Sequence, residues 1–251
     1  MSGSDKLVTP GLVVRELTSK ENDRLITVLT AGHGLVTATA YGARRPGSST
    51  AAGTHLFCYA DFAFIKSRGY YKVDSAAAKE HFYGVSKSVE ALAAASYFMQ
   101  LLYDAGLGAE AEPVILRLGL NSLYALERGI RHHAFVKAVF ELRLLAESGF
   151  EPELGYCARC GSEDVAFFNA GSAESLCAAC AGDGGMAEGI FPLTPGTLDA
   201  MRYIVGADMQ KIFAFKLNPE EEANLQRLCE EFTLAQMGRD YESLTVYKAL
   251  G

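Results

Sequence analysis

The sequence predicts an α+β chain of more than one domain: an N-terminal five-stranded β-barrel, then an α-helical domain that carries a four-cysteine zinc ribbon. Three observations predict it. Apolar and polar positions alternate with a period of two over the first eighty residues. Beyond Lys79 the apolar period lengthens to about 3.6, that of a helix. Two Cys-x2-Cys pairs, Cys157 with Cys160 and Cys177 with Cys180, interrupt the helical part. The expected domains are residues 1–80 for the barrel, 81–153 and 186–251 for the two parts of the helical domain, and 154–185 for the ribbon.

Five strand-like segments, at 11–17, 24–30, 34–41, 56–65 and 70–73, recur at roughly ten-residue spacing. That count and spacing fit a small closed barrel, and five strands is the number of the OB-fold. The longest connection, 42–53, is polar and glycine-rich, so it is expected on the surface and mobile. Helices are expected from about 85 to 105 with Gly106 at the C-cap, from Pro113 with Leu116, Leu120, Leu123 and Tyr124 on one side, and from about 132 to 148 ending at Gly149. Thr194-Pro195 and Asn218-Pro219 each read as an N-cap followed by a first helical residue, and Gly238 ends the last helix.

Each cysteine pair supplies two thiolates, and four together can surround a tetrahedral zinc ion at about 2.3 Å. Gly161 lets the chain turn back after the first pair, whereas Ala181 occupies that place after the second and Gly182 follows one later. A redox dithiol and a disulfide pair are the rival readings. With all four ligand positions filled by protein, the metal would hold structure and leave no site for a catalytic water. Cys58 and Cys229 lie in apolar patterns and read as core residues.

The 251 residues carry a net charge of −7, which argues at first against a nucleic-acid partner. The distribution argues the other way, because residues 1–80 hold ten Lys and Arg against seven Asp and Glu. The opening residues lack the layout of a signal peptide, and the longest weakly polar run, 91–103, is interrupted by Gln100 and too short to span a bilayer. A cytoplasmic chain with no membrane contact is expected. That compartment is reducing, which favours metal over disulfides.

No catalytic constellation stands out. The Gly42-x4-Gly47 spacing approaches a phosphate loop, but Ser48 stands where the lysine must be. No His-x-Glu accompanies the cysteines, as a zinc deaminase requires. His132 and His133 at a helix start read as solvated histidines. What remains is a binding face of cations and tyrosines on the barrel: Arg15, Lys20, Arg24, Arg44, Arg45, Lys66, Arg68, Tyr70, Tyr71 and Lys72. Barrels of this kind bind single strands by pairing cations with phosphates and stacking bases on aromatic rings. The competing reading is that the aromatic side chains fill the barrel and the cations keep it soluble.

With barrel, helices and ribbon in this order, the chain resembles the RecO family of bacterial recombination mediators over nearly its whole length. Gly11-Leu-Val-Val-Arg15 is similar to the family's first strand, Asn22-Asp-Arg-Leu25 to its "xDRxL" element, and Tyr41-Gly-Ala-Arg-Arg-Pro46 to its "ARGARRPKS" loop. Phe57-Cys-Tyr-Ala-Asp-Phe62 resembles the fourth strand, Phe82-Tyr-Gly84 and Ala95-Ser-Tyr-Phe98 the start of the helical region. Gly149-Phe-Glu-Pro152 leading into Cys157-Ala-Arg-Cys-Gly161 is the most specific join. Gly47 replaces a common lysine of the loop, and the connection 169–174 departs from the usual glycine-rich form.

The resemblance implies a non-enzymatic DNA-repair protein of the RecF pathway that binds single- and double-stranded DNA and anneals complementary strands. It further implies cooperation with RecR in loading RecA onto DNA coated by single-strand-binding protein, in the bacterial nucleoid. The acidic tail of the coating protein is expected on the helical region, with Arg128, Arg131 and His132 as contacts. The alternatives are a protein–protein adaptor with structural zinc and no DNA binding, and a zinc hydrolase with an open metal site.

Overall fold

The computed structural model describes residues 6–67, 69–107, 113–182 and 189–250. Five strands, β1 (Lys6–Lys20), β2 (Asp23–Thr30), β3 (Leu35–Ala40), β4 (Cys58–Ser67) and β5 (Tyr70–His81), close into a barrel in the order β1-β2-β3-β5-β4. All neighbours are antiparallel except β3 and β5, which meet in parallel through Ala38–Tyr71 and Thr39–Lys72. This is the OB-fold read from the strand count. Its interior is filled by Val13, Ile26, Val28, Val36, Ala38, Cys58, Ala60, Phe62 and Phe64, with the rings of Phe62 and Phe64 stacked at 5.2 Å.

The fifth strand is much longer than the 70–73 expected, running on through Ala76-Ala-Ala-Lys-Glu-His81. These are good helix formers, and pairing with β4 from Cys58↔His81 to Ser67↔Tyr70 overrides their propensity. β1 departs from simple alternation too: Gly11 to Val14 are all buried, because helices cover the outside of the strand as well as the core its inside. Past a bulge between Val13 and Arg15 the strand emerges into solvent.

The helices are α1 (Val89–Ala105), α2 (Pro113–Arg128), α3 (His133–Glu147), α4 (Ala178–Ala181), α5 (Pro195–Gly206), α6 (Pro219–Met237) and α7 (Glu242–Leu250), and none among the described residues is long and apolar enough to cross a membrane. The expected caps are present: Thr194 and Asn218 side chains accept from the backbone N–H groups of Thr197 and Glu221, and Gly238 closes α6 in the left-handed conformation. On α2 the buried face is Ile115, Leu116, Leu118 and Leu123, whereas Tyr124 is 48% exposed beneath the Arg128 guanidinium.

Two compact units result, one of Met1–Arg128 with Ser243–Gly251, the other of Gly129–Glu242. The first groups α1 and α2 with the barrel, where the sequence reading separates them at residue 81, and adds α7, whose Ser243 hydroxyl donates to Gln100 Oε1 at 2.7 Å. The second surrounds α3, α5 and α6 and contains a sheet of β6 (Phe167–Asn169), β7 (Glu174–Leu176) and β8 (Ile190–Pro192) in the order β7-β6-β8. The ribbon expected at 154–185 stops short of β8, which completes the sheet beside β6. In this unit Lys137, 4% exposed, pairs with Glu141 at 2.9 Å and Glu230 at 2.8 Å. Burial alone would lower its pKa, but the two carboxylates outweigh it and hold the lysine charged.

Candidate nucleic-acid interface and metal centre

Strand alternation sorts the tyrosines at the start of β5. Tyr71 and Val73 turn into the barrel, Tyr71 edge-on to Phe64 with centroids 6.2 Å apart. Tyr70 points the other way and is 81% exposed. Tyr71 therefore packs, half-buried, against the barrel core and Tyr70 alone of the two stands out from it, which corrects half of the expected pair. Lys72 faces outward between Thr39 of β3 and Ile65 of β4. Lys66 lies opposite Tyr71 at the rim, its ammonium 5.6 Å from the centre of that ring. Arg68 lies outside the described residues. The outward positions of β3 lead through Thr37 and Thr39 to Tyr41, which is 64% exposed and was missed by sequence reasoning. Its position two residues past Thr39, directly before Gly42-Ala-Arg-Arg45, was the available signal.

Replacing Tyr70 with Ala is expected to weaken single-stranded oligonucleotide binding by about 1–3 kcal/mol per stacked base and leave the melting temperature unchanged. Tyr71→Ala should do the reverse, lowering thermal stability through loss of core packing. Titration and calorimetry on the two variants check this directly.

Arg44 and Arg45 are exposed on the β3–β4 connection. The Arg44 backbone N–H donates to Asn22 O at 3.1 Å and its guanidinium to Glu21 O at 3.2 Å, which seats this loop on the β1–β2 turn beside Lys20. The loop is thus on the surface as expected but fastened, with Ala43 and Thr54 buried. Arg24 is not part of the exposed face. It is 8% exposed and ion-paired to Glu16 at 2.9 Å, so burial removes it from any direct phosphate contact. Arg15 is exposed with its guanidinium 5.4 Å from the Tyr103 ring centre, tied to neither of the other groups.

Charge pairing separates the cations further. Lys6 is matched by Asp74 at 3.1 Å and Lys79 by Asp61 at 2.7 Å. Among the described residues, Arg15, Lys20, Arg44, Arg45, Lys66 and Lys72 form no ion pair. An uncompensated surface cation is the kind that displaces counterions from a polyanion.

In the other unit the four thiols converge, every sulfur within 4.8 Å of the rest. The first pair sits on a tight turn: Gly161 N–H donates to Cys157 O at 2.8 Å, and Gly161 takes φ +75°. The second pair solves its turn differently. Cys177 caps the short helix α4, its sulfur accepting from Cys180 N–H, and the positive φ falls on Gly182. The Arg159 guanidinium donates to Cys180 O at 2.7 Å and joins the two turns. Hydrogen bonding, first from the Cys177 backbone, lowers the Cys157 thiol to about 6, while sharing with Cys160 and Cys177 pushes Cys180 up to about 12. Four convergent soft donors fit a divalent metal, which would displace their protons and bind all four as thiolates.

The three expected partner contacts fare unequally. Arg128 is exposed at the end of α2. Arg131 is committed internally, donating to the carbonyls of Phe213 and Phe215 and lying 3.7 Å from the centre of the Phe135 ring. It holds the segment before α6 in place, which corrects its assignment as a surface contact. His132 caps α3 and lines a cleft with Leu217, Pro219 and Glu222, where the glutamate opposes an acidic peptide.

The architecture is an OB-fold barrel with exposed cations, joined to helices and a four-cysteine cluster. The sequence matches "Recombination protein O N terminal" over residues 1–82 and "Recombination protein O C terminal" over 86–245. The chain belongs to the RecO family of DNA repair proteins. It is 32% identical to the DNA repair protein RecO of Acetivibrio thermocellus over 246 residues, 97% of each chain. It is 27% identical to that of Alkaliphilus metalliredigens, covering 96% of this chain and 98% of the relative, and 24% to that of Caldicellulosiruptor saccharolyticus, covering 95% and 96%.

Proposed function

We propose that this protein is a non-enzymatic mediator of recombinational repair in the bacterial cytoplasm. Its barrel binds single- and double-stranded DNA and anneals complementary single strands. With RecR it helps load RecA onto DNA coated by single-strand-binding protein. The observation that carries the reading is the set of unpaired cations on the barrel, Lys20, Arg44, Arg45, Lys66 and Lys72, flanked by exposed Tyr41 and Tyr70. An annealer must neutralise phosphates on two strands while leaving base edges free, and long cationic side chains without ion-pair partners do this without reading sequence. Zinc held by Cys157, Cys160, Cys177 and Cys180 supports the fold and takes no part in the reaction.

The test is strand annealing without nucleotide, on complementary oligonucleotides bare or coated by single-strand-binding protein. Acceleration on both substrates supports the mediator. An adaptor would show no oligonucleotide binding at micromolar protein in low salt, and that outcome removes the reading.

A further inference from the structure

Glu16, Arg24 and His55 form a cluster apart from the exposed cations that make no ion pair. Glu16 comes from β1, Arg24 from β2 and His55 from the end of the β3–β4 loop. Arg24 Nε lies 2.9 Å from Glu16 Oε1. Its Nη1 donates to Ala51 O at 2.8 Å and to Thr54 Oγ1 at 3.1 Å, and its Nη2 to His55 Nε2 at 3.0 Å. The second oxygen of Glu16 accepts from the Leu56 N–H at 2.8 Å and faces His55 Nδ1 at 3.7 Å. A guanidinium has only donors, so His55 Nε2 must be the accepting nitrogen and the ring neutral, with its proton on Nδ1 toward Glu16. Burial first, then Arg24, keep the His55 pKa below its ordinary value, with His81 adding to this and Glu16 opposing it.

Burying a charged fork is costly unless its bonds are satisfied, and three of those of Arg24 end on the single loop 51–55. That loop has no slack. Gly53 lies against β5 so closely that a Cβ there would sit 2.5 Å from Ala76 O. The loop's other end is held by the immediate neighbours of Arg24. Asp23 Oδ1 accepts from Gly42 N–H at 2.8 Å, and Asn22 O accepts from Arg44 N–H at 3.1 Å. Residues 22–24 thus fasten both ends of the connection, with Arg44 at one fastening and exposed Arg45 to Gly47 between the two.

We propose that Arg24, seated on Glu16, is a positioning residue: it holds the β3–β4 loop in the pose that presents Arg44 and Arg45 to nucleic acid, and touches no phosphate itself. This rests on the reading that Arg44 and Arg45 bind DNA. The clamp itself is a property of the free protein, so the two are separable.

The experiment uses the full chain and four variants: Arg24→Gln, Arg24→Lys, Arg44→Glu with Arg45→Glu, and that pair combined with Arg24→Gln. Amide hydrogen exchange follows the loop without DNA, and oligonucleotide titration over a salt series follows binding. In Arg24→Gln the amides of 51–56 should exchange faster by about tenfold or more, with α1 and α2 unchanged. Its oligonucleotide affinity should fall about tenfold and its salt slope by about one unit. Arg24→Lys keeps the charge but replaces the planar fork with one compact ammonium, which cannot span Glu16 on one side and the loop acceptors on the other, so it should behave like Arg24→Gln. In the combined variant Arg24→Gln should cost nothing further, because the side chains it presents are gone. Restoration of full binding by lysine, or additive losses in the combined variant, would mean that Arg24 grips phosphate directly and would overturn the proposal. So would unchanged exchange, or unchanged affinity despite faster exchange. Should Arg24→Gln fail to fold, Thr54→Val removes one loop acceptor and is read by the same two measurements. If reversal of Arg44 and Arg45 leaves binding intact, the DNA reading of this loop fails, and exchange alone still decides whether the clamp exists.

Discussion

Stripping the metal with a chelator is expected to unfold the segment from about residue 153 to 182 while the barrel keeps its structure and its affinity for oligonucleotide. The apolar core around the cysteines consists of Cys157, Leu176, Cys177 and Ala181 with Phe167 and Cys180 against them, and the local strands β6 and β7 are three residues each. So small a core cannot hold its own fold. Half of the six residues that build it belong to the four-cysteine cluster that could hold a metal, so without metal it is lined by polar thiols. For small zinc modules the binding free energy is folding free energy, about 10–16 kcal/mol at neutral pH. Metal analysis should return one zinc per chain. Cys157→Ser with Cys160→Ser should abolish it, and protease should then cut within the ribbon and spare residues 6–67. Ligands must be deprotonated to bind, so metal should be lost as pH falls through the acid range. A variant that keeps both metal and protease resistance would refute this. A redox dithiol would behave differently, ignoring the chelator and responding to oxidant.

The parts of this molecule that were legible in its sequence are those specified locally. Ligand spacing in a Cys-x2-Cys pair is fixed by a single turn, and the sulfurs do converge. Capping is equally local, and Thr194-Pro195 and Asn218-Pro219 open α5 and α6 as expected. What depends on distant partners was not legible. The Ala76-Ala-Ala-Lys79 stretch is a strand only because β4 lies beside it. Tyr70 and Tyr71 have the same chemistry, and which one faces out depends on bulges in the β4–β5 ladder that no spacing announces. Arg24 resembles its exposed neighbours until loop residues 27 to 31 positions away are brought onto it. Arg131 likewise meets the carbonyls that occupy it more than eighty residues later. The four-cysteine cluster was therefore visible almost whole, whereas which of the barrel's named cations and tyrosines are exposed was not.

Reversing two charges, Arg44→Glu with Arg45→Glu, is expected to weaken oligonucleotide binding to a similar degree across sequences and to lower the salt slope by about one to two units. Each neutralised phosphate contributes about 0.9 to that slope on duplex DNA and about 0.7 on single strands, so the size of the change measures how many phosphates the two arginines neutralise. Folding should be indifferent, since both side chains are exposed and the side-chain hydrogen bond at stake is that of Arg44 to Glu21 O, at 3.2 Å. Lys79→Glu is the matched control. Its ammonium is already held by Asp61 at 2.7 Å, so it displaces few counterions and its reversal should move the slope less. A uniform loss distinguishes phosphate gripping from base readout, in which some sequences would suffer far more than others. If the slope is the same in the double variant as in the parent, these arginines release no counterions and the loop is not where the polyanion lies. The Lys66, Tyr70 and Lys72 group across the β4–β5 ladder, with Lys20 and Tyr41, would then have to carry the contact.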